Sequence, residues 1–270
     1  MPHPFLDASG PVAFAHRGGT EHGPENTLPA FEAAVGLGFR YLETDVHLTR
    51  DGVLMAFHDP RLERVTDCAG AIAELEVGAV EAADAGHAYS ADGGRSFPFR
   101  AAGVRVPRLE TLLDRFPQAR INIDPKADAC VDPLVALIDA RDAWDRVCFG
   151  AFSDRRLHRI RALSRGRACT SMGPRAVAVA RIAGTAGVLP RQGANCIQVP
   201  VRQGRVPLVT PRWVRAAHRT GLHVHVWTID DERTMHDLLD LGVDGLMTDR
   251  PSTLRRVFLS RGLSWPRAPA

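Results

Sequence analysis

Short apolar segments alternate with amphipathic or alanine-rich stretches from one end of the sequence to the other. That alternation restricts the chain to a parallel α/β fold. Eight segments read as strands: Val12–Ala15, Phe39–Asp45, Arg120–Ile123, Arg146–Ala151, Ala168–Met172, Cys196–Val199, His223–Thr228 and Gly245–Thr248. Eight strands with helices between them predict a TIM (β/α)8 barrel, and 270 residues suit one barrel as a single domain over 1–270. Two helix starts are legible: Thr27 with Pro29, and Thr210 with Pro211, each read as an N-cap followed by a first-turn proline.

A ninth segment, Val53–Phe57, follows the second strand across only Asp51-Gly52, a strong two-residue hairpin signal. Parallel neighbours need a crossover of a dozen or more residues, so this pair is antiparallel and stands above the barrel as a β-hairpin insertion after the second strand. With Asp51-Gly52 as the turn, Asp45 is expected to face His58. The stretch Ala82–Val106 carries no clear period and is too long for a default connection, so it reads as a lid over the site or an ordered insertion.

Composition narrows the partners. The formal net charge is +3, and the basic residues are scattered rather than clustered with aromatics, which argues against nucleic acid. Five cysteines without a CxxC pair fit neither a disulfide framework nor a zinc site, and suit a reducing compartment. No basic start runs into an apolar core, and no apolar run approaches the roughly 20 residues that span a bilayer. A cytoplasmic protein with no transmembrane segment is expected; the oligomeric state has no signature in the sequence.

The residues able to carry chemistry gather at strand ends. His16-Arg17-Gly18-Gly19 follows the first strand, where barrel sites sit, and a guanidinium suits bidentate phosphate binding. Glu43 and Asp45, two apart on a strand, share a face, and two carboxylates inside a barrel are costly unless a cation neutralises them. Their oxygens favour Mg²⁺ or Ca²⁺. Asp124 extends the cluster to three carboxylates, and Lys126, the one lysine among 34 basic residues, offers a point charge for phosphate or an ion pair to Asp124. His58 closes the hairpin. Trp227 is either an apolar wall for an alcohol moiety or core packing, and His223 and His225 read as structural. Together these residues suit phosphodiester cleavage, with a cation polarising the phosphoryl oxygen and His16 and His58 exchanging protons.

At these residues the chain closely resembles the glycerophosphodiester phosphodiesterase family. The matching strings are His16-Arg17-Gly18, Pro24-Glu25-Asn26-Thr27 with Ala30-Phe31, Glu43-Thr44-Asp45-Val46, Thr49-Arg50-Asp51-Gly52 and His58-Asp59-Pro60. Asn122-Ile123-Asp124 with Lys126, Val226-Trp227-Thr228-Ile229 and Asp244 to Pro251 complete the series. The resemblance implies a TIM barrel with a hairpin-bearing insertion and metal-dependent hydrolysis of glycerophosphodiesters to glycerol 3-phosphate and an alcohol. It implies His16 and His58 as the acid/base pair, Glu43, Asp45 and Asp124 as ligands of Mg²⁺ or Ca²⁺, and Arg17 and Lys126 on the phosphate. Position 124 is more usually glutamate in the family, and the related sphingomyelinase D-like branch uses a similar site. Lysophospholipase D-like cleavage, with Phe97, Phe99 and Trp227 as the hints of an apolar channel, and a catalytically silent phosphate-binding barrel are the alternative readings.

Overall fold

In the computed structural model, which describes residues 3–184, 187 and 189–266, eight parallel strands close into a barrel. They are β1 (Val12–Ala15), β2 (Tyr41–Leu48), β4 (Arg120–Pro125), β5 (Val147–Phe149), β6 (Cys169–Thr170), β7 (Cys196–Val199), β10 (His223–Val226) and β11 (Gly245–Thr248). Two short strands, β8 (Arg202–Gln203) and β9 (Val206–Pro207), form a small hairpin beyond β7. Each barrel strand pairs with the next in sequence, and β11 returns to β1. A parallel bridge from Ser171 to Cys196 joins β6 to β7. All eight expected strands are present: β1, β7 and β11 have the expected bounds, β5, β6 and β10 are two or three residues shorter, and β2 and β4 run further than expected, to Leu48 and Pro125.

Side chains alternate across each strand, so one set enters the lumen and the other meets the helices. Phe14, Tyr41, Cys148, Cys169, Cys196 and Met247 fill the lower lumen. The turn Pro4–Leu6 seals it from below by burying Phe5 completely, 5.4 Å from the Tyr41 ring and edge-on to it. Outside, Phe31, Leu112, Leu134, Ile160, Trp213 and Phe258 pack the helices onto the strands. With the floor plugged largely by apolar rings, the charged side chains of the lumen gather at the opposite mouth, where the strands' carboxyl ends lie.

Both expected helix starts occur, by different means. Thr210 caps the helix Pro211–Arg219 by accepting the Trp213 N–H. Thr27 precedes the helix Leu28–Gly36, but its hydroxyl donates to the Pro24 carbonyl (2.6 Å) and braces the preceding loop instead.

The hairpin formed by β2 and β3 (Leu54–Ala56) differs from expectation by one residue. Its register pairs Val46 with Ala56 and Leu48 with Leu54, so Asp45 meets Phe57, whose N–H donates to the Asp45 carbonyl (3.0 Å). The loop has three residues, Arg50-Asp51-Gly52, closed by Thr49 N–H to the Val53 carbonyl. Gly52 takes φ +85°, the left-handed residue that a three-residue hairpin requires, while the Thr49 hydroxyl binds Asp51 and accepts the Val53 N–H. Asp45 therefore does not face His58. The chain bends after Phe57, with the His58 carbonyl held by the His47 ring (3.0 Å), and this bend brings the His58 side chain to the barrel mouth.

The segment after the hairpin is an ordered insertion. Met55, Phe57, Leu62, Ile72, Val80, Val104 and Val106 form a second small core, and an antiparallel backbone bridge pairs Asp84 with Arg105 across the segment. A Cβ on Gly86 would stand 2.2 Å from the Phe99 carbonyl oxygen. Gly86→Ala is thus expected to destabilise the protein by about 1–3 kcal/mol, read as a lower urea midpoint. An unchanged midpoint would mean that this segment is not packed in solution.

Candidate active site

A cavity of about 450 Å³ opens at the carboxyl ends of the strands and is lined by His16, Arg17, Glu43, Asp45, His58, Asp124, Lys126 and Trp227. All eight residues singled out from the sequence therefore meet in one place. β1 delivers His16 and Arg17 through a tight turn in which Arg17 adopts φ +53°. That left-handed geometry, costly for a residue with a side chain, aims the Arg17 backbone N–H at Glu43 Oε2 (3.1 Å). Gly18 and Gly19 follow at φ +83° and +84°, and a Cβ on either would come within 3 Å of Ala30 or Pro251.

β2 and β4 pair in parallel register with Asp45 beside Asp124, and the Lys126 N–H continues the ladder to the Val46 carbonyl. The pairing projects Glu43, Asp45 and Asp124 together into the lumen, each almost fully buried. Asn26, buried at φ +56°, steadies the group: it donates to Asp45 Oδ2 (3.2 Å) and accepts from the Thr44 hydroxyl (2.8 Å).

Charge in this pocket is closely balanced. Lys126 Nζ lies 2.6 Å from Asp45 and 2.8 Å from Asp124, so the ion pair anticipated between Asp124 and Lys126 is present and shared with Asp45. Arg17 Nε stands 3.0 Å from Asp45 Oδ2, an ion pair by distance, although the N–H is not directed at that oxygen. Burial raises the Asp45 pKa, but Lys126 and Arg17 outweigh it and hold the carboxyl below its ordinary value. Glu43 lacks such partners: burial and then Asp45 push it up to about 7, against His16, Arg17 and Lys126. Burial also raises Asp124, whose Lys126 partner offsets only part of the effect.

Each histidine is backed by a carboxylate. His16 Nδ1 bonds Asp249 Oδ1 (2.7 Å), and its Nε2 lies 3.8 Å from Glu43. Burial alone would lower the His16 pKa, yet Glu43 and Asp249 hold it above the ordinary imidazole value. His58 Nδ1 bonds Asp59 Oδ1 (2.6 Å). A carboxylate on one ring nitrogen fixes the tautomer and leaves the other nitrogen for proton exchange.

Three carboxylates with no thiol among them suit a hard cation. Two observations fit such an ion: Asp124 Oδ1 is buried with no hydrogen-bond partner, and Glu43 is short of positive charge. As the side chains stand, the Lys126 ammonium rests between Asp45 and Asp124. Among the described residues no three His, Cys, Asp or Glu side chains close around a common point.

The opposite wall is apolar. Phe152, Met172, Val177, Leu208 and Trp227 line it, with the Phe152 and Trp227 rings 5.6 Å apart and edge to face. Trp227 thus lines the cavity and also packs against the lumen core. Phe97 and Phe99 do not line the cavity: Phe99 packs on Tyr89, and Phe97 lies under the Arg100 guanidinium. His225 is buried in the lumen, its ring 5.0 Å from that of Phe14 and its Nδ1 3.5 Å from Gln198 Nε2. Sequence reasoning gave no role to Asp249, Asp59, Glu25 or Asn26, and passed over Arg64 and Phe152. Asp249 had a usable signal, since it directly follows β11 at the barrel's functional end; Arg64 and Phe152 had none.

Residues 16–253 match the glycerophosphoryl diester phosphodiesterase family. A Mycobacterium tuberculosis protein named probable glycerophosphodiester phosphodiesterase 2 is 40% identical over 264 residues, covering 96% of this chain and 94% of that protein. In structure, the glycerophosphoryl diester phosphodiesterase domain of another M. tuberculosis protein superimposes with a TM-score of 0.81 at 18% identity, over 92% of this chain and 99% of that one. An Oleispira antarctica phosphodiesterase, solved with the product sn-glycerol-3-phosphate, gives a TM-score of 0.73 at 20% identity, over 92% and 97% of the two chains. At those identities the structural likenesses speak to the barrel fold alone.

Proposed function

The chain belongs to the glycerophosphoryl diester phosphodiesterase family and is a glycerophosphodiester phosphodiesterase; from that premise we propose that it releases glycerol 3-phosphate and an alcohol in a reaction that depends on Mg²⁺ or Ca²⁺. The observation that carries the proposal is the joint placement of two carboxylate-backed histidines, three buried carboxylates, Arg17 and Lys126 around one cavity. Glu43, Asp45 and Asp124 would hold the cation, which when bound supplies Lewis-acid polarisation of the phosphoryl oxygen.

The chain's own residues supply the rest. Arg17 and Lys126 bind the phosphate's remaining charge, Arg17 as a fork and Lys126 as a compact ammonium. One histidine takes a proton from the attacking hydroxyl, of water or of the neighbouring glycerol carbon, and the other returns a proton to the departing alkoxide. Trp227 and Phe152 exclude water beside the alcohol. Asp124 in place of a longer glutamate sets its carboxylate one methylene further back.

Turnover of a panel of glycerophosphodiesters, followed as glycerol 3-phosphate, tests the reading. Lysophospholipids, followed as the released head-group alcohol and acylated glycerol phosphate, belong in the same panel, because the apolar wall from Phe152 to Leu208 would suit an acyl chain. Product from lysophospholipids alone would move the activity to that class, and no product from any diester would leave a silent phosphate-binding barrel. Among the described residues no helix is long and apolar enough to cross a membrane. The free cysteines support a cytoplasmic setting.

A further inference from the structure

Arg64 lies outside the cavity, on the loop that follows the hairpin, yet it touches both halves of the chemistry within. Its two terminal nitrogens grip Glu25 as a fork, Nη1 to Oε2 at 2.9 Å and Nη2 to Oε1 at 2.6 Å. Its Nε donates to Asp59 Oδ2. Each carboxylate uses its other capacity on the site: Glu25 Oε1 accepts from Arg17 Nη1 (3.1 Å), and Asp59 Oδ1 holds His58 Nδ1 (2.6 Å). One guanidinium therefore ends two chains of contact, Arg64–Glu25–Arg17 and Arg64–Asp59–His58.

We propose that Arg64 is a positioning residue that sets the phosphate-binding Arg17 and the proton-transferring His58 in one fixed relation. This rests on the roles given above to Arg17 and His58. Only a guanidinium meets the requirement, because it presents three donors in one plane to two carboxylates at once. The loop that carries it is anchored independently: Leu62 is fully buried, its N–H donates to the Gly70 carbonyl, and the Thr66 hydroxyl and N–H both return to the Leu62 carbonyl. The alternative is an ordinary surface ion pair that merely ties the loop down, and such pairs contribute little to stability. Arg64 departs from that case because Glu25 and Asp59 are mostly buried and each already serves a residue of the site.

The two arms predict separable effects. Arg64→Ala is expected to lower kcat/KM by about 10–100-fold, the usual consequence of losing a partner that orients a functional group, through both a lower kcat and a higher KM. Glu25→Gln should act mainly on KM, through Arg17, and Asp59→Asn mainly on kcat, through His58. Added guanidinium ion should restore part of the Arg64→Ala rate, whereas Arg64→Lys, with a single point charge, should recover less than the whole. Arg61→Ala, in the same loop but with its side chain paired among the described residues only with Glu63, serves as the control and should behave as wild type. Thermal unfolding of each variant checks that the loop stays in place. Unchanged kcat and KM in a folded Arg64→Ala variant would overturn the proposal, as would a loss that tracks lowered stability and ignores guanidinium. Should the wild-type protein hydrolyse no diester, calorimetric titration with glycerol 3-phosphate decides instead. Arg64→Ala and Glu25→Gln should then weaken binding while Asp59→Asn does not, and equal binding by all three would sink the proposal by itself.

Discussion

Exhaustive chelation is expected to abolish turnover of a glycerophosphodiester, and added Mg²⁺ or Ca²⁺ to restore it. The reason is an imbalance of charge. Glu43, Asp45 and Asp124 are buried together, and Asp45 alone draws on both Lys126 and Arg17. Glu43 is left at about 7, near its midpoint at neutral pH, and Asp124 keeps a buried oxygen without a partner. Like charges packed this closely do not all ionise unless a cation joins them. A divalent ion would complete the set and free Lys126 to meet the phosphate. Asp124→Asn should then weaken cation affinity, with excess metal recovering part of the activity, while Lys126→Ala, which removes the ammonium that occupies Asp45 and Asp124, should not weaken cation affinity but should alter KM or kcat. If the Asp124–Lys126 pair only pins the end of β4, both single variants lose stability and the double variant regains some of it. Full activity after chelation, with no metal detectable in the protein, would end the cation hypothesis.

The barrel was legible because its cause is repetitive. Eight short apolar runs separated by helical stretches leave few alternatives, and the floor-to-mouth polarity follows from where the polar residues fall along each run. The carboxylate pair was legible because Glu43 and Asp45 lie two apart on one strand, where alternation alone puts them on one face. The hairpin register was not. Asp51-Gly52 reads equally well as a two-residue turn or as the end of a three-residue loop, and what decides is the Thr49 side chain, which binds Asp51 and accepts the Val53 N–H. Such a local contact has no periodic signature. Arg64 escaped for a related reason: Glu25, its partner, lies 39 positions away, and only the folded chain brings them together. Phe152 likewise follows β5 as one more aromatic residue until Trp227 is placed against it.

His16→Ala and His58→Ala are each expected to lower kcat by about 10²–10⁴-fold with little change in folding, the range for loss of a general acid or base. The structure separates chemistry from stability at both positions. His58 holds the hairpin through its backbone carbonyl, which accepts from His47 and survives replacement by alanine. His16 sits in the turn at the barrel mouth, where its polar contacts are with Asp249 and Glu43, not with the core. Asp249→Asn and Asp59→Asn should each reproduce a smaller part of the loss, because the imidazole remains but its tautomer and orientation are no longer fixed. Steady-state kinetics with urea unfolding on the same samples checks all four variants. A near-normal kcat in either alanine variant removes that histidine from proton transfer, and loss of cooperative unfolding assigns it to structure. The double variant adds a sharper criterion. If the two histidines serve one concerted transfer, it should be scarcely slower than the worse single, since groups acting as a unit do not contribute additively. If their losses multiply, the two histidines contribute independently to one rate-limiting transition state instead of acting as a coupled unit.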